Sequence, residues 1–454
     1  MSVATQLAAL GSAQAKSPLL NPALPETPTP PIPETLAATG LPESMVEQTL
    51  LKSLYFQGDT LGRDLAGGLG LKFSVVETII ELLKHQHLIQ VKKSLGMGNI
   101  SAIYSLTESG RTVAREHLNH SQYAGRVPVP LEQYESMVEA QKLPDSWLTM
   151  EMLRRAFKHM VVSDEIITRV GPAVNAGKSF LIYGQPGNGK TYLAEALFGL
   201  DPTPIYIPYA IEAQGMVIEL FDPLHHQPVE VQEETGSLLA LARQPTHDMR
   251  WIKVRRPFIV SGGELDTSML ELNYNEAAKF YSAPMQLKAN NGIYLIDDFG
   301  RQKATPAEVL NRWIVPMERR MDYLTFKNGT KMNVPFECFL IFSSNLQPSQ
   351  LGDEAFLRRI QYKMLLKSPD EGEFKEIFDR VCDQHKLPCE SEVFDRFMQK
   401  HYRNSGKRRR RCHPRDVIAH AVDLIRFEKR MWKLTDEVLD HAFESCFTEV
   451  GHDA

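Results

Sequence analysis

Gly184-Gln185-Pro186-Gly187-Asn188-Gly189-Lys190-Thr191 fits the spacing G-x-x-x-x-G-K-[ST], and it joins the short apolar run Ser179–Tyr183 to an amphipathic stretch that reaches Leu200. In that strand–loop–helix context Gly184, Gly187 and Gly189, with Pro186 and Asn188 between them, let successive backbone N–H groups point into one concavity. The helix N-terminus adds its positive dipole end, Lys190 is long enough to reach β- and γ-phosphates, and the Thr191 hydroxyl is a ligand for Mg²⁺. The chemistry these residues suit is the cradling of a nucleoside triphosphate. A tight turn built only for packing would use the glycines but would not require Lys-Thr directly after the last of them.

A second constellation follows at Gly292-Ile293-Tyr294-Leu295-Ile296-Asp297-Asp298-Phe299-Gly300. Consecutive apolar residues suit a parallel strand buried on both faces, and open α/β sheets bind ligands beyond the C-terminal ends of their strands. Asp297 is expected to hold Mg²⁺, directly or through water, and Asp298 to orient and polarise an attacking water. About a hundred residues separate Lys190 from this motif, with β-like stretches at Ile205–Tyr209, Met216–Phe221 and Trp251–Ser261 and a turn signal at Gln214-Gly215. An insertion of that length on a nucleotide-binding core suits contact with a partner. Within it, Asn273-Tyr274-Asn275 and Lys279-Phe280-Tyr281 read as packing residues or as a loop that grips a substrate.

From Ser146 to Phe447 the chain resembles the AAA+ ATPases. Leu310-Asn311-Arg312-Trp313 through Arg319-Arg320 is similar to the helix after the second motif, and Asp322–Val334, with Asn328-Gly329 as a two-residue turn of the primed type, to a β-hairpin insertion. The run Cys338–Phe342 ends in Ser343-Ser344-Asn345, and Asn345 matches the polar sensor that reads the γ-phosphate. Glu354 to Ile360 is similar to the arginine-finger segment, which gives Arg358 and Arg359 that role, and His413-Pro414-Arg415-Asp416 to the second sensor, with Arg415 facing the nucleotide. The hairpin places the resemblance nearest the MoxR-like, hairpin-bearing clade, and the whole also looks like bacterial winged-helix proteins described as ATPases with chaperone activity. The family usually carries Glu where this chain has Asp298, one methylene shorter, a substitution that helicase-loader and initiator relatives share. The resemblance implies ATP and Mg²⁺ as cofactors and a homo-oligomeric, hexameric ring that remodels a protein client.

The 454 residues are enough for two or three domains. An α/β phosphate-loop core with a helical lid is expected, at 146–368 and 369–454, behind a linker at 121–145. Residues 1–42, with seven prolines in Pro18–Pro33, are expected to form a disordered arm. Between 43 and 120, helical segments near Met45–Phe56, Thr60–Gly67 and Phe73–His85, strands at Leu88–Lys93 and Ala102–Leu106, and a helix opened by Thr107-Glu108 make an order that resembles a winged helix. Its third helix carries Glu77 and Glu81 beside Lys72 and Lys84, so protein docking is the expected role and DNA binding the alternative. A net charge of −5 argues against a chain built mainly to bind nucleic acid. Lys407–Arg411 reads as a solvated loop between lid helices. The five cysteines lack CxxC spacing, and no run of eighteen apolar residues is present, so a cytoplasmic protein without a membrane span is expected.

Overall fold

The computed structural model describes residues 26–96, 98–200, 203–229, 245–352 and 354–447. The first part of the expected disordered arm, 1–25, lies outside the described residues. Residues 26–42 are packed, which corrects that expectation: Pro30, Pro33, Thr39 and Leu41 are buried. Composition misleads here because the segment is held through its carbonyls. Pro30 O accepts from Asp248 N at 3.1 Å, and Thr39 O accepts from Arg250 Nη1 at 3.0 Å. Arg250 and Asp248, buried together at 2.8 Å, also tie in Pro128 O and Gln133.

The next unit runs α1 (Glu43–Gln57), β1 (Thr60–Leu61), α2 (Gly62–Leu69), α3 (Phe73–His85), β2 (Ile89–Ser94), β3 (Ala102–Leu106) and α4 (Glu108–His120). Its strands form an antiparallel sheet in the order β1-β3-β2, closed by a core that includes Leu50, Leu54, Ile79, Leu83 and Tyr104. The expected linker is structured: β4 (Val129–Pro130) pairs with a later strand, and α5 (Leu131–Ala140) buries Tyr134 and Val138. Pro130 is the N-cap of α5, so a residue that reads as a helix breaker is here a helix starter.

The core begins with α6 (Met150–Ala156) and α7 (Asp164–Ala176), followed by β5 (Ser179–Tyr183) and α8 (Lys190–Ala196). Then come β6 (Ile205–Pro208), β7 (Ala210–Ala213), β8 (Met216–Glu219), β9 (Trp251–Val254), β10 (Phe258–Ser261), β11 (Asn273–Asn275), β12 (Phe280–Ser282), α9 (Met285–Lys288) and β13 (Ile293–Ile296). After α10 (Pro306–Arg319), the hairpin β14 (Met321–Thr325) and β15 (Lys331–Pro335) leads to β16 (Phe339–Ser344), α11 (Pro348–Leu351), α12 (Glu354–Leu357) and β17 (Tyr362–Leu365). The main sheet is parallel throughout in the order β10-β13-β16-β5-β17. One face packs against α6, α7 and α8, and the other against α10 through Val309, Leu310 and Trp313. The apolar run expected as one stretch at Trp251–Ser261 is divided: β9 pairs with β6, whereas β10 belongs to the main sheet.

The long insertion builds a second sheet, β11-β12-β8-β7-β4, whose core is shared by Leu324, Phe326, Met332 and Val334 of the β14–β15 hairpin. Tyr274 and Tyr281 pack together in it, with ring centroids 4.8 Å apart. The hairpin turn is not of the primed type. Of Asn328 and Gly329 only Gly329 has positive φ, and Phe326 bonds both Gly329 and Thr330, which makes a three-residue loop with a bulge. The lid is α13 (Glu371–His385), α14 (Ser391–Met398), α15 (His413–Glu428) and α16 (Asp436–Cys446) around Phe374, Phe378, Phe397 and Phe443.

Candidate functional site

β5 delivers the glycine-rich loop to the C-terminal edge of the main sheet, where β16 and β17 flank it. A side chain at Gly184 would begin 2.5 Å from Leu366 O, so glycine is needed where the loop passes the end of β17. Gly189, at φ +83°, has open space beside it. Lys190 is the first residue of α8, and its Nζ donates to Gly184 O and Gln185 O at 3.1 Å each and to Asn345 Oδ1 at 2.6 Å. Burial holds its ammonium below the ordinary value even though Asp298 and Asp297 act the other way.

The strand order decides what meets what. β16 lies between β5 and β13, so the residue that follows β16 sits between the glycine-rich loop and the two carboxylates. Asn345 does so, donating from Nδ2 to Asp298 Oδ1 at 2.7 Å while its Oδ1 accepts from Lys190. The amide can serve both partners in only this orientation, because the lysine only donates and the carboxylate only accepts. Beside it, Thr191 Oγ1 donates to Asp297 Oδ1 at 2.8 Å. Asp298 adopts φ +49°, a region that Asp tolerates better than most residues. Its turn is held by Phe299 N on Ser343 O at 2.7 Å and by Gln302 Nε2 on Asp297 O at 2.8 Å.

A cavity of ≈ 670 Å³ opens over these groups, bounded by Pro186, Gly187, Gly189, Lys190, Thr191, Asp298 and Asn345. Its opposite wall comes from Met160 and Val161, from Ile377 and Val381 of α13, and from Arg411, Cys412 and Arg415. Cys412 N donates to Gly187 O at 2.9 Å, so the lid closes directly on the loop.

The sequence-expected residues divide as follows. Lys190, Asn345 and Asp298 form one hydrogen-bonded chain and Thr191 with Asp297 a separate pair beside it, and neither Asp297 nor Gly184 is among the residues that line the cavity. Asn188 does not line the cavity; its Nδ2 turns to Leu366 O and Ser368 Oγ, both at 3.4 Å. Arg415 lines the cavity with its side chain 74% exposed and paired to Asp416. Arg358 and Arg359 do not line it: Arg358 is exposed, and Arg359 Nε donates to Glu318 Oε1 at 2.8 Å. The run Lys407–Arg411 is not the solvated loop expected. Arg411 is largely buried, donating to Val161 O at 2.6 Å and to Glu373 at 2.7 Å, and Arg409 reaches Glu371. Arg301, Arg380, Tyr192 and His159 also line the cavity and were missed. His159 lies in the break between α6 and α7.

The residues fit a nucleoside triphosphate with Mg²⁺. The Lys190 ammonium is satisfied only by neutral oxygens, and five cations, Lys190, Arg301, Arg380, Arg411 and Arg415, border the cavity. Thr191 and Asp297 offer hard oxygen donors side by side. Among the described residues no group of three or more His, Cys, Asp or Glu converges on one point, so a Mg²⁺ here would draw its remaining ligands from phosphate and water.

Fold and site together define a parallel α/β domain with a glycine-rich loop and paired carboxylates at its C-terminal edge, capped by a helical lid. A family model described as a domain of unknown function (DUF8689) matches residues 370–445, which is the lid. No curated protein matches the chain. Solved structures similar to it include two point variants of RuvB from Thermotoga maritima. One has 13% identity, a TM-score of 0.37 and coverage of 65% of this chain and 73% of that one. The other has 14% identity, a TM-score of 0.33 and coverage of 66% and 71%. NtrX from Brucella abortus has 11% identity and a TM-score of 0.33; the match covers 55% of this chain and about half, 49%, of NtrX.

Proposed function

We propose that the chain is an ATPase of the AAA+ type that binds ATP with Mg²⁺, works in a cytoplasmic homo-oligomeric ring and uses hydrolysis to remodel a protein partner. The observation that carries this reading is the Lys190–Asn345–Asp298 chain of hydrogen bonds, set by the place of β16 between β5 and β13. Mg²⁺ on Thr191 and Asp297 would neutralise the phosphate charge. Lys190 swings from the loop carbonyls to the β/γ-phosphates, Asn345 meets the γ-phosphate, and Asp298 holds the attacking water. Protein rather than DNA is the proposed partner because three of the five lysines of the N-terminal unit are paired with carboxylates. Lys72 pairs with Glu34 at 2.6 Å, Lys84 with Glu81 at 3.0 Å and Lys92 with Asp59 at 2.6 Å.

Two variants test the chemistry. Lys190→Ala removes the mobile cation, so affinity for a fluorescent ATP analogue is expected to fall about 10-fold or more; unchanged affinity refutes the phosphate-loop assignment. Asp298→Asn keeps shape and loses charge, so binding should persist while turnover falls roughly 10²-fold. Wild-type turnover in that variant would move the water-positioning role elsewhere.

A further inference from the structure

A second cavity, of ≈ 300 Å³, opens at the other end of the main sheet, among Lys178, Pro257, Gly292 and Phe339 at the N-terminal ends of β5, β10, β13 and β16. Leu143, Trp147, Leu197, Phe198 and Leu200 give it apolar walls. Arg256 lines it and, among the described residues, has no carboxylate partner: Nε donates to Thr203 O at 3.1 Å, Nη1 to Asn291 O at 2.8 Å and Nη2 to Gln141 O at 2.8 Å. Three neutral carbonyls thus hold a guanidinium that burial pushes down to about 9. Of the five N–H bonds an arginine carries, one on each terminal nitrogen remains. Around it, Lys142 and Arg320 both close on Glu337 at 2.9 Å, and Lys178 is exposed at the rim. With Asp145, the border holds four cations against two carboxylates.

Two elements run from one cavity to the other. α8 and the short turn after it extend from Lys190, Thr191 and Tyr192 in the first cavity to Leu197, Phe198 and Leu200 in the second. α7 begins three residues after Val161, in the first, and ends with Val174 and Ala176 in the second.

We propose that the second cavity binds a small molecule bearing a carboxylate on an apolar body, and that its occupancy is coupled to the nucleotide cavity through α7 and α8. The carboxylate supplies the counter-charge that Arg256 lacks, and the apolar body covers the Trp147 and Phe198 rings, a mixture usual for small-ligand sites. A ligand touching the far end of α8 contacts differently the positions that helix takes with and without phosphates at its near end, and such coupling is reciprocal. The binding half stands by itself; the coupling half rests on the ATPase reading.

Calorimetric titration of the full chain with 4-phenylbutyrate, and with its neutral primary amide, tests the binding. The acid is expected to bind about 10-fold or more tightly than the amide, the size of a charge-assisted contact. Arg256→Gln would also release three carbonyls, so the decisive variants fill the cavity instead. Ala176→Phe, or Leu200→Trp from another wall, should abolish probe binding while ADP affinity stays within about threefold of wild type. No binding at millimolar probe, equal affinity for acid and amide, or binding that survives both fillings overturns the site. ADP and probe should change each other's dissociation constants by the same factor, at least about twofold. A factor of one overturns the coupling alone. Failure of wild-type chain to bind ADP overturns the coupling together with the ATPase reading and leaves the carboxylate site standing on its own titration.

Discussion

The cluster Lys190, Thr191, Asp297, Asp298 and Asn345 was legible because each residue stands at a fixed offset from an apolar run, and strand ends converge on one edge of a parallel sheet. Arg301, Arg380 and Arg411 were not legible. They reach the cavity from segments far apart in sequence, and each looks in isolation like an ordinary surface charge. Buried histidines were equally silent, and one has a measurable consequence. His226 is 1% exposed, its Nδ1 accepts from Asp222 N at 2.9 Å and its Nε2 donates to Lys288 O at 2.9 Å, which requires the neutral ring. Burial holds it down to about 4. An unfolded histidine titrates near 6.5, so between pH 6.5 and 4 the unfolded chain binds the proton first, and stability falls as pH falls through that window. Urea titrations at pH 7 and 4.5 should show a loss that His226→Asn reduces by about 2 kcal/mol. An identical pH dependence in that variant would show that other groups carry the loss.

The elements read from sequence best were the long periodic ones, α1, α3, α4 and α10, and the apolar strands β5, β13 and β16, whereas the lid was read as helical without division into its helices. Strands of two to four residues in the insertion gave too short a pattern to divide. α5 was hidden because Pro128, Pro130 and Pro144 surround a helix that is held largely by tertiary contacts, among them Asn290 Nδ2 donating to Tyr134 Oη at 2.8 Å. Helix α3 shows the same limit from the other side: its charges were legible, but not that Asn99 would donate to both Glu77 at 2.9 Å and Glu81 at 3.1 Å. With that amide and the paired lysines engaged, α3 and the β2–β3 loop offer little to phosphates or base edges. The whole 454-residue chain is therefore expected to bind mixed-sequence duplex DNA no more tightly than roughly 10⁻⁶–10⁻⁴ M at physiological salt, the non-specific range. Titration at 50 and 200 mM salt, by about the fourfold step over which phosphate contacts are lost, reads it. Sub-micromolar binding with a steep salt slope would replace the protein client with DNA.

For the whole molecule, the cations that border the described cavity come from one chain only, whereas Arg358 and Arg359 lie outside it, after α12. Among the described residues no helix is long and apolar enough to cross a membrane. In a head-to-tail ring the arginine segment of one subunit would face the cavity of the next. Its charge would stabilise the transition state only when that boundary is closed and water is excluded. This arrangement predicts complementation between two inactive proteins. A chain carrying Arg358→Ala and Arg359→Ala keeps an intact cradle, and a Lys190→Ala chain keeps intact arginines. Random mixing in equal amounts makes about a quarter of the boundaries complete, whatever the ring size. Turnover should therefore recover to about that share of wild type, while each protein alone stays inactive. If mass measurement confirms mixed rings and no turnover returns, the arginines act within their own chain or only hold Glu318, and the ring is not what completes the site.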